Sequence, residues 1–353
     1  MPVLVQGLPV LYGRYYFPKN HQKGMKYMTA SSYGAPTMVR PAVKKNRKWI
    51  DFKKYWMLHT MMVLPMVYYI LFEALPLYGL QIAFRDYSAA DGIFGSPWLG
   101  LKHYIDFFSD WEWTKFVVNT VSISLYSICV GFPIPVILAL LIHINKKKLL
   151  KKLTQNVSYV PHFISTVVMV GLLHQVFHPQ YGLLNAIVTY IAQYIDIDTN
   201  VPDIRYLEDS FRHLFVWSGV WQNMGWSTIV YVAALSGVSA ELHEAAKIDG
   251  ASRFRRVLSV DLPAILPTVS IMLIMRFGSI MSVGYEKVYL MQQTQNIDVS
   301  EVLSTHIYKT GIAAGKNSYG TAIGLLNSAI NSAMVIGVNL ITSWLTDGEQ
   351  GLF

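Results

Sequence analysis

Residues 244–267 read EAAKIDGASRFRRVLSVDLPAILP. The first half carries Glu244, Lys247, Asp249, Arg253, Arg255 and Arg256, yet long apolar runs lie on both sides of it. A chain this oily does not place an ordered polar insert at random, and local chemistry gives the insert a shape. Ser239 is positioned to cap a helix start, with Glu241 near the positive end of the dipole. Good helix formers follow to Ile248, and Ala245 and Ala246 keep one side slim. Asp249-Gly250 stops the helix, because glycine readily takes the left-handed conformation of a helix end. Ser252 then caps a second short helix on which Phe254, Val257 and Leu258 share a face. Pro263 ends that element or begins the next.

The surroundings set the class. Hydrophobic residues make up 53% of the 353-residue chain and charged residues 14%, with mean hydropathy +0.34. Soluble domains carry about 25% charged residues, so the composition is that of a membrane protein. Six segments are long enough for a helical crossing of roughly 20 residues: about 56–84, 115–143, 156–178, 214–237, 264–290 and 319–345. Lipid offers backbone groups no partners, so each crossing must be helical. The single cysteine, Cys129, permits no internal disulfide. The first apolar run starts near Tyr55, too late for the apolar region of a cleavable leader.

Lysine and arginine fix the expected orientation. Residues 1–55 hold eleven, 144–155 hold five and 238–263 hold four, against two in each alternate loop. Both termini and the polar insert are therefore expected in the cytoplasm. The net charge of +8 is a topology signal, and no nucleic-acid partner is expected. The organisation read this way is a basic cytoplasmic tail (1–54), a six-span domain (55–346) with its polar loop at 238–263, and a short cytoplasmic tail (347–353). The stretch 85–114, with turn residues between aromatics, reads as a small packed cap on the outer side.

The insert also resembles a known signature. Glu244-Ala245-Ala246, Asp249-Gly250-Ala251 and Leu262-Pro263-Ala264-Ile265-Leu266-Pro267 are similar to the EAA segment of permease subunits of binding-protein-dependent ABC importers. WQNMGWSTIVYVAALSGVSAEL (Trp221–Leu242) looks like the carbohydrate-uptake, maltose-type branch, as does SPWLGLKHYIDFF (Ser96–Phe108), where His103 stands in place of the usual Asn. The similarity covers roughly residues 55–346. It implies the type I importer permease fold, all-α and polytopic, in the bacterial cytoplasmic membrane. It implies a coupling helix that docks on cytoplasmic ATPases, with Glu244 making a polar contact, Ala245 and Ala246 permitting close seating, Gly250 forming the turn, and Asp249 and Ala251 in the same coupling segment. The implied partners are a second homologous permease (a heterodimer), two ATPase subunits that bind ATP and Mg, an extracytoplasmic solute-binding protein and membrane lipid. The chain itself is expected to be non-catalytic and without a cofactor. Its function on this reading is half of an alternating-access pathway for an oligosaccharide. A secondary transporter, or a permease for a non-sugar solute, is the alternative.

Other motifs fail. Gly311–Asn317 is one residue short of a phosphate loop and ends in Asn. His243-Glu244-Ala245-Ala246-Lys247 has Lys where a zinc-protease motif needs its second His, so no metal ligand set is expected. Polar residues inside the spans point to the pathway. Arg276 at membrane depth costs at least about 2.5 kcal/mol and needs a cavity or a partner; in a cavity it favours an anionic sugar. Trp221, Gln222 and Asn223 offer stacking and hydrogen bonds, and Asn327 and Asn331, one turn apart, offer either substrate contact or interhelical bonds to a second permease subunit. Glu286 and Lys287 read as interfacial. Gly320 and Gly324 form a small-xxx-small pair that suggests close helix packing.

Overall fold

The computed structural model describes residues 54–195 and 203–345. Most of the predicted N-terminal tail and all of the C-terminal tail lie outside them. The chain divides into two units, Met1–Leu64 and Pro65–Phe353. The described part of the first unit is the start of a helix, exposed throughout. Apart from the start of the first helix, everything below concerns the second.

Among the described residues, secondary structure is helical apart from one isolated bridge between Arg85 and Trp98. The principal elements are α1 (Trp56–Phe84), α2 (Lys102–Ser109), α3 (Trp113–Ile144), α4 (Lys148–Phe163), α5 (Thr166–Val176), α6 (Leu183–Ile195) and α7 (Glu208–Ser236). They continue with α8 (Ala240–Ile248), α9 (Arg253–Phe277), α10 (Tyr285–Met291), α11 (Leu303–Ile307) and α12 (Asn317–Leu345). Among the described residues α1, α3, α9 and α12 are long and apolar enough to cross a membrane, and α4 with α5 makes a fifth candidate. The protein is thus an all-helical membrane protein.

α7 is the hub. It packs on both halves of α3, on α4 and on α9. The contact with α4 is unusually close: a Cβ on Gly225 would stand 2.0 Å from the Ser158 carbonyl oxygen. Tyr231 and Leu235 of α7 share a buried cluster with Val136 and Ala139 of α3 and Ile265 of α9. A second cluster joins Phe211 to Ile123, Val288, Met291 and Val302 at the other end. There Arg212 donates to Asn119 Oδ1 at 2.9 Å, and Asn119 Nδ2 donates to the Asp298 and Glu301 carbonyls. Lys115 and Lys309 pair with Asp298 and Glu301. These bonds pin the 292–302 segment over the helix ends remote from the polar insert.

Several sequence expectations need correction. The 156–178 segment is not one straight crossing: α4 and α5 meet at 101°. Pro161 lies in the final turn of α4, and Ser165 caps a fresh helix by accepting from the Val168 amide. The 264–290 segment breaks after Phe277, where Gly278 starts a run of turns before α10, so Arg276 sits in the last helical turn instead of mid-span. The second helix of the insert is not separate. It runs through a π turn (Val257–Asp261) straight into the apolar part of α9, and Pro263, which has no amide to donate, follows directly on that π turn. The apolar helix α6 had no counterpart in the sequence reading. Of the glycine pair, Gly320 faces Gly311, with a Cβ placed 2.6 Å from its Cα, whereas Gly324 has open space.

The 85–114 stretch is tied together by short-range contacts. Phe84 stacks on Trp98 at 5.5 Å, Leu99 and Gly100 donate to the Phe84 carbonyl, and Arg85 donates to the Ser96 carbonyl at 2.9 Å. His103 Nε2 bonds the Arg85 carbonyl at 3.0 Å, so it fills a structural role at the position of its departure from the motif.

Candidate functional site: the polar insert and a cationic cavity

The insert forms as its residues dictate. Ser239 Oγ accepts from the Glu241 amide at 3.2 Å, and Ser252 Oγ accepts from the Arg255 amide at 3.3 Å. At the other end of α8 the Ala251 amide donates to the Ala246 carbonyl at 2.9 Å, and the Gly250 amide to the Lys247 carbonyl at 3.1 Å. This bond pair is the Schellman closure, and it needs a left-handed residue between helix and loop. Gly250 supplies it at φ +77°. No residue of α8 is buried. Leu242, Ile248 and Phe254 project into solvent, Ile248 being 86% exposed, with Glu244, Ala245, Asp249 and Gly250 exposed beside them and Ala246 and Ala251 half-buried. What anchors the element is its base, where Val257 and Asp261 are buried.

The pathway candidates divide. Gln222, Asn223 and Arg276 line one cavity of about 460 Å³, together with Phe215, Trp226, Ser227 and Lys287. Arg276 also borders a neighbouring cavity of about 180 Å³ with Ser124, Ser127, Ser279 and Ser282. Among the described residues Arg276 is in no ion pair. Gln222 Nε2 donates to the Ile164 carbonyl at 2.7 Å, and Asn223 bonds His162 Nδ1 and the Gly219 carbonyl. These two amides therefore shape the wall more than they offer free groups.

Asn327 and Asn331 border neither cavity. Asn331 Oδ1 accepts from the Met281 amide at 3.0 Å and its Nδ2 donates to Ser282 Oγ at 2.8 Å. It ties α12 to the turns after α9. Trp221 also faces elsewhere, into an apolar groove with Met169, Leu172 and Phe177. The tryptophan at the cavity is Trp226, stacked on His162 at 4.5 Å.

Sequence reasoning missed Lys287. Its Nζ donates to the Phe215 carbonyl at 2.8 Å and lies 4.7 Å from the Phe215 ring. The available signal was a lysine inside an apolar run opposite another cation, Arg276. For Trp226 it was helical spacing, since position 226 follows Asn223 by three and Gln222 by four.

With this geometry in place, similarity to known proteins becomes informative. Residues 131–346 match the family described as binding-protein-dependent transport system inner membrane component, and the chain belongs to that family. It is the non-catalytic, multi-pass transmembrane component of an ABC importer. It is 33% identical over 331 residues to the polygalacturonan/rhamnogalacturonan transport system permease protein YteP of Bacillus subtilis (strain 168), covering 93% of this chain and 100% of that one. It is 34% identical over 314 residues to protein LplB of the same organism, covering 88% and 93%. A chain of a bacterial alginate ABC transporter, solved in complex with an alginate pentasaccharide-bound periplasmic protein, superimposes with a TM-score of 0.76 at 30% identity, covering 87% of this chain and 100% of that one.

Proposed function

We propose that this permease forms half of the pathway of an ATP-driven importer for acidic oligosaccharides. The observation that carries the substrate class is the pair Arg276 and Lys287 on one cavity wall, with no ion-pair partner for Arg276 among the described residues. The Arg276 guanidinium borders the cavity without an anion beside it, and a uronate carboxylate is matched to it in charge and in two-pronged geometry. The names of relatives point the same way: polygalacturonan and alginate are acidic polymers.

On this reading six crossings are made by α1, α3, the bent α4–α5 pair, α7, α9 and α12. α7 joins the count because its 29 residues match the others in length, although Gln222 and Asn223 in its middle dilute its hydropathy. Both termini and α8 face the cytoplasm. A second, homologous permease completes the pathway, two ATPase subunits bind ATP and Mg, and an extracytoplasmic binding protein delivers the sugar. Glu244, Ala245, Ala246, Asp249, Gly250 and Ala251 form the contact with the ATPase. A rigid, doubly capped helix with Leu242, Ile248 and Phe254 exposed fits a socket. ATP closure can shift the transmembrane state only if the docked helix moves with it.

The test is reconstitution with ATPases, second permease and binding protein in proteoliposomes. ATP hydrolysis is measured against acidic and neutral oligosaccharides of matched length. Stimulation by uronate oligomers alone supports the reading; equal stimulation by neutral oligomers contradicts the acidic assignment.

A further inference from the structure

Three chemistry-bearing side chains meet at the root of the polar insert, and the transport reading uses none of them. His143 lies in the last turn of α3, His243 in the middle of α8, and Asp261 at the end of the π turn in α9. Asp261 Oδ1 stands 3.1 Å from His243 Nε2 and 3.6 Å from His143 Nε2. One ligand atom from each residue lies within 4.8 Å of the other two. Asp261 is 2% exposed, while the two imidazoles are about three-tenths open to solvent.

The arrangement is odd for a plain polar contact. Among the described residues, neither Asp261 Oδ1 nor His243 Nε2 makes a hydrogen bond of acceptable geometry, and both atoms are buried. Asp261 Oδ1 is a buried carboxylate oxygen without a hydrogen bond, and such an oxygen calls for a cation beside it. Two imidazoles converge on the same oxygen, so a cation placed between the three atoms satisfies all of them at once.

We propose that His143, His243 and Asp261 bind a transition-metal dication of the zinc type. Four-coordinate zinc holds nitrogen and oxygen ligands at about 2.0–2.2 Å, which sets neighbouring ligand atoms roughly 3.3–3.5 Å apart. The two separations, 3.1 and 3.6 Å, bracket that spacing. Two imidazole nitrogens and one oxygen suit zinc or cobalt; calcium and magnesium want oxygen alone, and cuprous copper wants sulfur. The open side of the histidines leaves a fourth position for water. His243 belongs to a failed zinc-protease string, and the ligands it lacked in sequence come from elements 100 residues before it and 18 residues after it. A metal here fastens α8 to the ends of α3 and α9, so that the insert and these two helices move as one body. The site's existence does not depend on which sugar is carried.

The experiment uses the assembled transporter in nanodiscs, without affinity tag or nucleotide, stripped by a chelator and titrated with Co²⁺. The visible spectrum is followed, and bound Zn²⁺ per permease chain is counted separately by elemental analysis. The expected result is one metal per chain with a four-coordinate cobalt spectrum. His243→Gln, on the exposed helix, is expected to weaken binding by at least about tenfold without loss of assembly. His243→Cys is expected to retain cobalt and add a thiolate-to-metal absorption band, because sulfur is then a ligand. Uptake by the wild type that is no greater than that of His243→Gln overturns the proposal, as does a cobalt spectrum of His243→Cys without the thiolate band.

Discussion

The Ala251 amide donates to the Ala246 carbonyl at 2.9 Å, and this bond closes α8 against the chain that leads into α9. The closure is possible because Gly250 between them holds φ at +77°. A side chain in that conformation costs roughly 1–2 kcal/mol. Nothing lies within 4 Å of a Cβ there, so the penalty is conformational and not steric. Gly250→Ala is therefore expected to leave membrane insertion intact and to lower the yield of co-purified ATPase. Gly250→Asn, which tolerates the left-handed region better, is expected to lose less. Equal loss in both variants would assign the effect to lost space instead of backbone geometry.

Arg276 and Lys287 give the second prediction. Arg276→Gln and Lys287→Gln each remove one cation from the cavity wall. Half-saturating concentrations for uronate oligomers are expected to rise about tenfold or more, the effect of losing roughly 1.4 kcal/mol, while neutral oligomers are unaffected. Lys287 also holds the Phe215 carbonyl, so its variant is expected to show some loss of thermal stability and Arg276→Gln almost none. Initial transport rates and thermal midpoints separate the two effects.

Gly225 tests the helix hub. A Cβ placed there meets the Ser158 carbonyl oxygen and carbon at 2.0 and 2.3 Å, and both are backbone atoms. Such a contact is relieved only by moving α4 or α7. Overpacking of this kind costs about 1–3 kcal/mol or more. Gly225→Ala is expected to lower the thermal midpoint clearly, whereas Gly324→Ala, in open space, is expected to leave it unchanged.

Asp203 carries a pH prediction. Its carboxylate accepts from Arg205 Nε at 2.7 Å, and this hydrogen bond is the main cause that holds its pKa below the usual value. A depressed folded pKa contributes stability that is present above the unfolded value of about 3.9 and is lost as pH falls through the folded one. Peptide hydrogen exchange over 203–211 is expected to be slower in the wild type than in Asp203→Asn at neutral pH. The difference is expected to shrink below about pH 4.

How much of this could be read from sequence depended on the range of the interaction. Ser239, Gly250 and Ser252 act on neighbours within five residues, so the insert was legible almost to the hydrogen bond. The 101° bend was not, because hydropathy treats Val160–Ser165 as continuous apolar chain while Pro161 and the Ser165 cap divide it. Arg276 was found because a cation in an apolar run stands out. Lys287 was set aside as interfacial because the break at Gly278, which turns it back toward the cavity, leaves no composition signal. Asn331 was left open between substrate and helix contact, because an amide one turn from another suits either; the Met281 and Ser282 contacts are visible only in three dimensions. His143 and Asp261 are 118 residues apart, and no local pattern joins them.

The account rests on α8 being the cytoplasmic contact for a separate ATPase. The direct measurement places a single cysteine at Ile248, 86% exposed, in a Cys129→Ala background, and labels it with a membrane-impermeant maleimide. The predicted result is no labelling in intact cells, rapid labelling in inverted vesicles stripped of ATPase, and protection when the ATPase is restored. Labelling from outside intact cells, or labelling of inverted vesicles that the ATPase does not slow, contradicts it.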